Sequence, residues 1–152
     1  LVSELTGPDF SSIDGTLEDI PAELDNVVTV GSIDNENQIS SFSNRGVNVV
    51  DIFAIGGGSK ELAIHGYETW LADKLFEKDW IIIPSLEGRY TYGYGTSIAT
   101  PKVVAALGLI IEKYDLKNRP DEAIDILYSN SSSGLDDSGN PIRLLNITNF
   151  IE

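Results

Sequence analysis

Apolar and polar positions along this 152-residue chain predict short strands first and longer helices later. Asn26–Ile33 (NVVTVGSI) is a β-branched run bounded by turn residues, which predicts a buried strand. Asp34–Gln38 is a polar turn. Ile39–Ser43 and Val47–Ala54 fit two further short strands, the second ended by Gly56–Gly58. Everything before about Pro21 is polar and turn-rich and reads as loop. Residues 59–90 are the least legible part. Glu68–Lys78 spaces Trp70, Leu71, Leu75 and Phe76 as a helix does, and Ile81–Ile83 fits a strand.

The clearest helix follows Thr100-Pro101. Proline is tolerated at the first helical position because its missing N–H has no intrahelical partner there. Val103–Tyr114 is apolar almost all round, which predicts a helix buried in the protein centre. Pro120 opens a second helix over Asp121–Tyr128, with acids in the first turn where the helix dipole favours them. Ser129–Asn140 reads as a Gly/Ser/Asp loop. The partly apolar tail Ile142–Ile151 is expected to pack back on the body.

Composition narrows the function classes. The length supports one domain that buries roughly two-thirds of its unfolded surface. Ten Lys and Arg against 24 Asp and Glu give a formal charge of −14, so nucleic acid and anionic membranes are poor partners. No apolar run approaches the roughly 20 residues that span a bilayer. The absence of cysteine excludes disulfides, thiolate catalysis and Cys-ligated metals, but assigns no compartment. One histidine, His65, leaves no His-rich metal site. Residues 1–44 hold nine acids (Glu4, Asp9, Asp14, Glu18, Asp19, Glu23, Asp25, Asp34 and Glu36) and no base before Arg45. They form either a solvated surface or a negative field for a basic ligand. A chain starting at Leu1 rather than Met, with no signal peptide, is expected to be a processed or excised fragment.

Chemistry is concentrated in Tyr94-Gly95-Thr96-Ser97-Ile98-Ala99-Thr100-Pro101. A serine where a helix opens places its hydroxyl beside unpaired backbone N–H donors, its own included. Nucleophile and part of an oxyanion hole then share one residue. Gly95 lets a substrate backbone come close, and the small Ala99 lets the turn pack tightly. The plain alternative is a Ser/Thr cap ahead of a buried helix.

The whole string Gly-Thr-Ser-Ile-Ala-Thr-Pro resembles the nucleophile motif of subtilisin-like serine proteases, Gly-Thr-Ser-x-Ala-x-Pro. Ile20-Pro21-Ala22-Glu23-Leu24 followed by VVTVGSID resembles the segment in which a proline loop enters a core strand of that family. Ser41-Phe42-Ser43-Asn44-Arg45-Gly46 is similar to its FSN-x-G turn, Val50–Ala54 to the strand after it, and Arg143–Ile147 to its closing segment. Within the family, VGSID…ISSFSNRG, GTSIATPKV and RLLNI are most like the lantibiotic leader peptidases. Lys102 replaces the usual histidine after the motif proline, Ile55 replaces a proline, and residues 59–90 look like an insertion.

The resemblance implies an α/β fold, the C-terminal half of a subtilisin-like catalytic domain, with a parallel sheet flanked by helices and a central buried helix after the nucleophile. It implies that residues 1–152 are that part of one domain, with Ser97 as catalytic nucleophile. Ser97, Thr96 and Gly95 would bind substrate and oxyanion. The family's Asp, His and oxyanion Asn precede the matched region and are not present, so an N-terminal fragment of the same protease is the implied partner. His65 lies outside a Gly-His-Gly-Thr context and is expected to be a surface or structural histidine. Asp19, two places before Pro21, would meet a basic side chain ahead of the scissile bond. No cofactor is needed for the chemistry. A structural Ca²⁺ is implied at the carbonyls of Ala22, Leu24 and Val27 and the carboxylate of Asp51. The implied substrate is a lantibiotic precursor leader, cut after a basic residue outside a bacterial cell or on its surface. Two alternatives stay open: a catalytically silent subtilase-like module that binds a basic peptide, and a broad-specificity degradative subtilase.

Overall fold

The computed structural model describes residues 27–45 and 49–148. Two short strands, β1 (Val30–Ile33) and β2 (Ile52–Ile55), pair in parallel, Val30 opposite Ile52 and Ile33 opposite Ile55. The chain then makes helices α1 (Lys60–Ala72) and α2 (Phe76–Asp79) and a hairpin of β3 (Ile81–Pro84) and β4 (Tyr90–Gly93). The long helix α3 (Thr96–Lys113) follows, then α4 (Pro120–Ser129), and strands β5 (Ser132–Leu135) and β6 (Pro141–Leu144) close the order. β6 lies parallel to β2 and antiparallel to β5, so the main sheet runs β1-β2-β6-β5. This is an α/β arrangement, with a mixed four-stranded sheet that packs α3 and α4 on one face.

Side-chain alternation sorts the sheet into two faces. Ile52 and Ala54 of β2 point to one face and pack with Ala99, Val103, Ala106 and Ile110 of α3, Leu116, and Ala123 and Leu127 of α4. Phe53 points to the other face and meets Ile33, Ile39 and Leu144. Each fully buried Ile, Leu or Phe contributes about 1.5–3 kcal/mol, so α3 is held mainly by one stripe.

The inserted segment has its own organising charge. Asp79 is 4% exposed. Its carboxylate accepts the N–H groups of Glu61 (2.9 Å) and Leu62 (3.0 Å) where α1 opens, and the indole N–H of Trp70 (2.7 Å). A carboxylate this buried is tolerated because three donors replace its water. Around it, Trp70 meets Phe76 and Trp80 edge-on, at 5.7 and 5.0 Å between ring centres.

Several elements differ from the sequence expectations. The first strand is Val30–Ile33, shorter than the β-branched run. Ile39–Ser43 is not a strand: one bridge joins Ile39 to Ile33, and a turn follows, because Ser40 and Ser43 spend their hydrogen bonds on Ser32. The next strand is Ile52–Ile55 rather than Val47–Ala54, and residues 46–48 lie outside the described residues. The helix expected over Glu68–Lys78 starts eight residues earlier, breaks at Gly66 and ends at Ala72. Ile81–Ile83 is a strand as expected, but its partner β4 was not anticipated.

The Gly/Ser/Asp loop contains strand β5, and the tail joins the sheet as β6. Pro101 is the sixth residue of α3 and not its first. The N–H that proline lacks would have bonded the Ser97 carbonyl; Ser97 is exposed, so water can take that role. Nor is α3 buried all round: Val104 is 62% and Leu109 41% exposed, because no described element covers that side. The loop expected before Pro21 lies outside the described residues.

Candidate active site

The start of α3 lies at the carboxyl ends of the parallel strands, where open α/β sheets form their crevices. Three hydrogen bonds place it there. The Gly56 N–H donates to the Ile33 carbonyl at 3.0 Å and joins the ends of β1 and β2. The Gly95 N–H donates to the Gly56 carbonyl at 2.8 Å. Lys102 Nζ, from the second turn of α3, donates to the Ile55 carbonyl at 2.6 Å. Burial pushes the Lys102 ammonium below the usual lysine range.

Gly95 is the residue that turns the chain into the helix, with φ 139° and ψ 162°. This region is essentially reserved for glycine. Thr96 and Ser97 are then the first two helical residues. Ser97 has no carbonyl one turn back to receive its N–H, and the helix dipole adds partial positive charge at that point. The Gly95 carbonyl already receives Ile98 N–H (2.9 Å) and Ala99 N–H (3.3 Å), and the Thr96 carbonyl receives the Thr100 hydroxyl (2.9 Å).

No side chain caps this helix. The N-cap position is taken by Gly95, so Ser97, at the second helical position, does not stand where a capping serine would. Ser97 is exposed, while Ala99 two residues on is fully buried and seats the turn. An exposed hydroxyl beside an unpaired N–H can attack a carbonyl carbon and hold the oxygen that becomes negative.

Other expected positions fall elsewhere. His65 sits on α1, its Nε2 3.3 Å from Glu61 Oε2 one turn away, and is a surface histidine as expected. Among the described residues no imidazole accepts the Ser97 proton. Asp51 Oδ2 receives the Thr29 N–H at 2.8 Å and ties the approaches to β1 and β2 together. Of the residues implied for a cation, Val27 and Asp51 are described, and Ala22 and Leu24 lie outside the described residues. No cluster of three or more His, Asp or Glu able to hold a metal occurs among the described residues. Asp19 also lies outside them.

Sequence reasoning missed the bonds beneath the site. Tyr94 stacks on Trp80 at 5.0 Å and meets Phe42 at 5.2 Å between ring centres. Buried Ser32, Ser40 and Ser43 form a hydrogen-bonded group under Gly56–Gly58. These partners are far apart in the chain, and only the aromatic residues flanking the motif hinted at them.

Comparison with known proteins agrees with this geometry. Residues 9–143 match peptidase family S8, the subtilase family. The epidermin leader peptide-processing serine protease EpiP of Staphylococcus epidermidis is 48% identical over 108 residues, 71% of this chain and 23% of that protein. The nisin leader peptide-processing serine protease NisP of Lactococcus lactis subsp. lactis is 35% identical over 139 residues, 91% of this chain and 19% of that protein. The crystal structure of EpiP from Staphylococcus aureus superposes with a TM-score of 0.75 at 41% identity, covering 88% of this chain and 32% of that one. The chain thus spans about a fifth of the length of the curated relatives it matches. No helix among the described residues is long and apolar enough to cross a membrane. The chain belongs to the subtilase family.

Proposed function

We propose that this chain supplies the nucleophile of a subtilisin-like serine endopeptidase that removes the leader peptide of a lantibiotic precursor after a basic residue. The observation that carries this reading is the exposed Ser97 at the second position of α3, behind a glycine N-cap. In the reaction Ser97 Oγ bonds to the scissile carbonyl carbon and its proton passes to an imidazole. The C–N bond then breaks, the imidazole returns the proton to the leaving amine, and water releases the acyl group. The Ser97 N–H and an upstream Asn side chain hold the oxyanion, with Gly95 and Thr96 lining the approach.

The imidazole, its orienting Asp and the Asn come from an N-terminal part of the same catalytic domain, of which residues 1–152 form the C-terminal part. Three observations support such a complement. The sequence holds a single histidine, and it is paired with Glu61 on the surface. β1 has no second strand beside it among the described residues, only the single bridge from Ile33 to Ile39. The outer side of α3 presents Val104 and Leu109 to solvent.

The names of the two curated relatives, which process the epidermin and nisin leader peptides, favour a lantibiotic precursor as substrate; extracellular or cell-surface action is part of the same proposal. A Ca²⁺ held by Asp51 with the carbonyls of Ala22, Leu24 and Val27 would be a structural addition to this reading. A lower melting temperature on chelation would reveal it; an unchanged one would leave Asp51 with its Thr29 bond alone.

The test is cleavage of a lantibiotic precursor peptide by the full-length protease. Ser97→Ala is expected to lower kcat about a million-fold, as removal of the triad serine does in subtilisin. Retained cleavage would refute the assignment. Binding of a basic peptide without cleavage by the unaltered protein would instead mark a silent module.

A further inference from the structure

Ser32, Ser40 and Ser43 are 0%, 2% and 3% exposed, in a place where a core of this kind needs no hydroxyl for packing. Their protons can be counted. The Ser40 hydroxyl donates its only proton to the Gly57 carbonyl at 2.6 Å. The Ser32 and Ser40 oxygens are 2.9 Å apart, so Ser32 must be the donor to Ser40. Ser43 Oγ receives the Ser32 N–H at 2.9 Å and donates to the Asn44 carbonyl at 3.0 Å. The chain of bonds thus runs one way, from the end of β1 through Ser32 and Ser40 into the Gly57 carbonyl.

That carbonyl adjoins the strap on which the nucleophile rests. The strap Gly56–Gly58 is fixed at four points: Gly56 N–H to Ile33, Gly56 carbonyl to the Gly95 N–H, Gly57 carbonyl to Ser40, and Gly58 N–H to the Asp79 carbonyl. A Cβ on Gly56 would lie 2.5 Å from the Gly95 carbonyl oxygen, so strap and nucleophile loop are in direct contact. The Gly57 and Gly56 carbonyls lie in consecutive peptide units joined at the Gly57 Cα, so a shift of the first is passed to the second and on to Gly95, two residues before Ser97. Buried hydrogen bonds in a row strengthen each other and hold one orientation.

We propose that Ser40, backed by Ser32, is a positioning residue that sets the height and direction of Ser97 through Gly57, Gly56 and Gly95. The inference rests on Ser97 being the nucleophile. Loss of the Ser40 hydroxyl leaves the Gly57 carbonyl buried and unpaired, and the strap relaxes toward another donor. Loss of the Ser32 hydroxyl leaves the Ser40–Gly57 bond in place and is milder. Small displacements of a nucleophile reduce the rate more than they reduce binding.

The experiment measures kcat and KM for precursor cleavage by the full-length protease, well below the melting temperature, in four variants. Ser40→Ala is expected to lower kcat about tenfold with KM unchanged, and Ser32→Ala about two- to threefold. Ile110→Val, in the core far along α3, is the control for lost stability and is expected to keep kcat. Ser97→Ala reports on the underlying reading: if it still cleaves, that reading fails and the proposal with it. If Ser97→Ala is inactive but Ser40→Ala loses no more kcat than Ile110→Val at a similar melting temperature, the positioning role alone is overturned. Should Ser40→Ala fail to accumulate, Ser32→Ala decides: a kcat equal to that of the unaltered enzyme overturns the proposal.

Discussion

The Gly95 N–H donates to the carbonyl of Gly56 at 2.8 Å, and this bond joins the end of β2 to the start of α3. Both partners are glycine for physical reasons. At Gly95 the backbone, φ 139° and ψ 162°, is closed to other residues. At Gly56 there is no room: a methyl group would overlap the Ser32 hydroxyl and lie 2.5 Å from the Gly95 carbonyl oxygen.

The two alanine substitutions should therefore differ in kind. Gly95→Ala meets open space, its nearest contact being the Ser97 nitrogen at 3.8 Å, so its cost is backbone strain of about 1–3 kcal/mol. Gly56→Ala forces strap and nucleophile loop apart and should abolish turnover. Urea unfolding and precursor cleavage check both. Unaltered kcat in Gly56→Ala would mean that the contact does not position Ser97.

Tyr128 gives a pH signature. Burial, then the nearby Asp51 carboxylate, push its phenol up to about 12, against the opposing pull of Arg143, whose guanidinium lies 4.8 Å from the ring centre. The unfolded chain releases this proton near pH 10, the folded protein only near 12. Unfolding therefore becomes easier as pH rises from about 10 to about 12, and below that window the contribution is fully present. Tyr128→Phe should flatten this part of the stability profile and remove the late step from the tyrosinate absorbance titration. An identical titration in both proteins would contradict the assignment.

The outer side of α3 tests the proposed complement. Val104 is 62% exposed on this chain, and a charge at such a site costs little. If an N-terminal part covers it in the full-length protease, Val104→Asp buries a carboxylate without a partner and destabilises that protein by at least about 2 kcal/mol. Thermal unfolding of the full-length variant is the measurement. An unchanged melting temperature would leave this face open in the whole enzyme.

The proposed preference for a basic residue before the cut points to Asp19, which lies outside the described residues. A carboxylate facing the residue before the cut pairs bidentately with arginine. Asp19→Ala is expected to weaken the preference for Arg over Leu at that position at least tenfold in kcat/KM, about 1.4 kcal/mol. A preference that survives unchanged would place the acid outside the pocket.

How much of this was legible beforehand depends on the range of the forces involved. The string from Gly95 to Pro101 carries its candidate chemistry in adjacent residues, so a candidate nucleophile is legible there. The helix start was misplaced because proline signals a first turn, whereas a glycine in a conformation of its own begins α3 five residues earlier. Ser132–Leu135 (SSGL) has no strand pattern and pairs only because β6 lies beside it. Ser40 looks like a turn residue, and its partners Ser32 and Gly57 lie 8 and 17 residues away. The insertion is opaque for a similar reason: Asp79, the last residue of α2, organises the start of α1, 18 and 17 residues from the N–H groups of Glu61 and Leu62 that it receives.

Treatment of the full-length protease with a fluorophosphonate, followed by peptide mapping, tests the main claim most directly. A single covalent adduct is expected on the Ser97 hydroxyl, absent from Ser97→Ala and prevented by prior heat denaturation. An adduct on a different serine, or an active protease that cleaves its substrate with Ser97 unmodified, would contradict it.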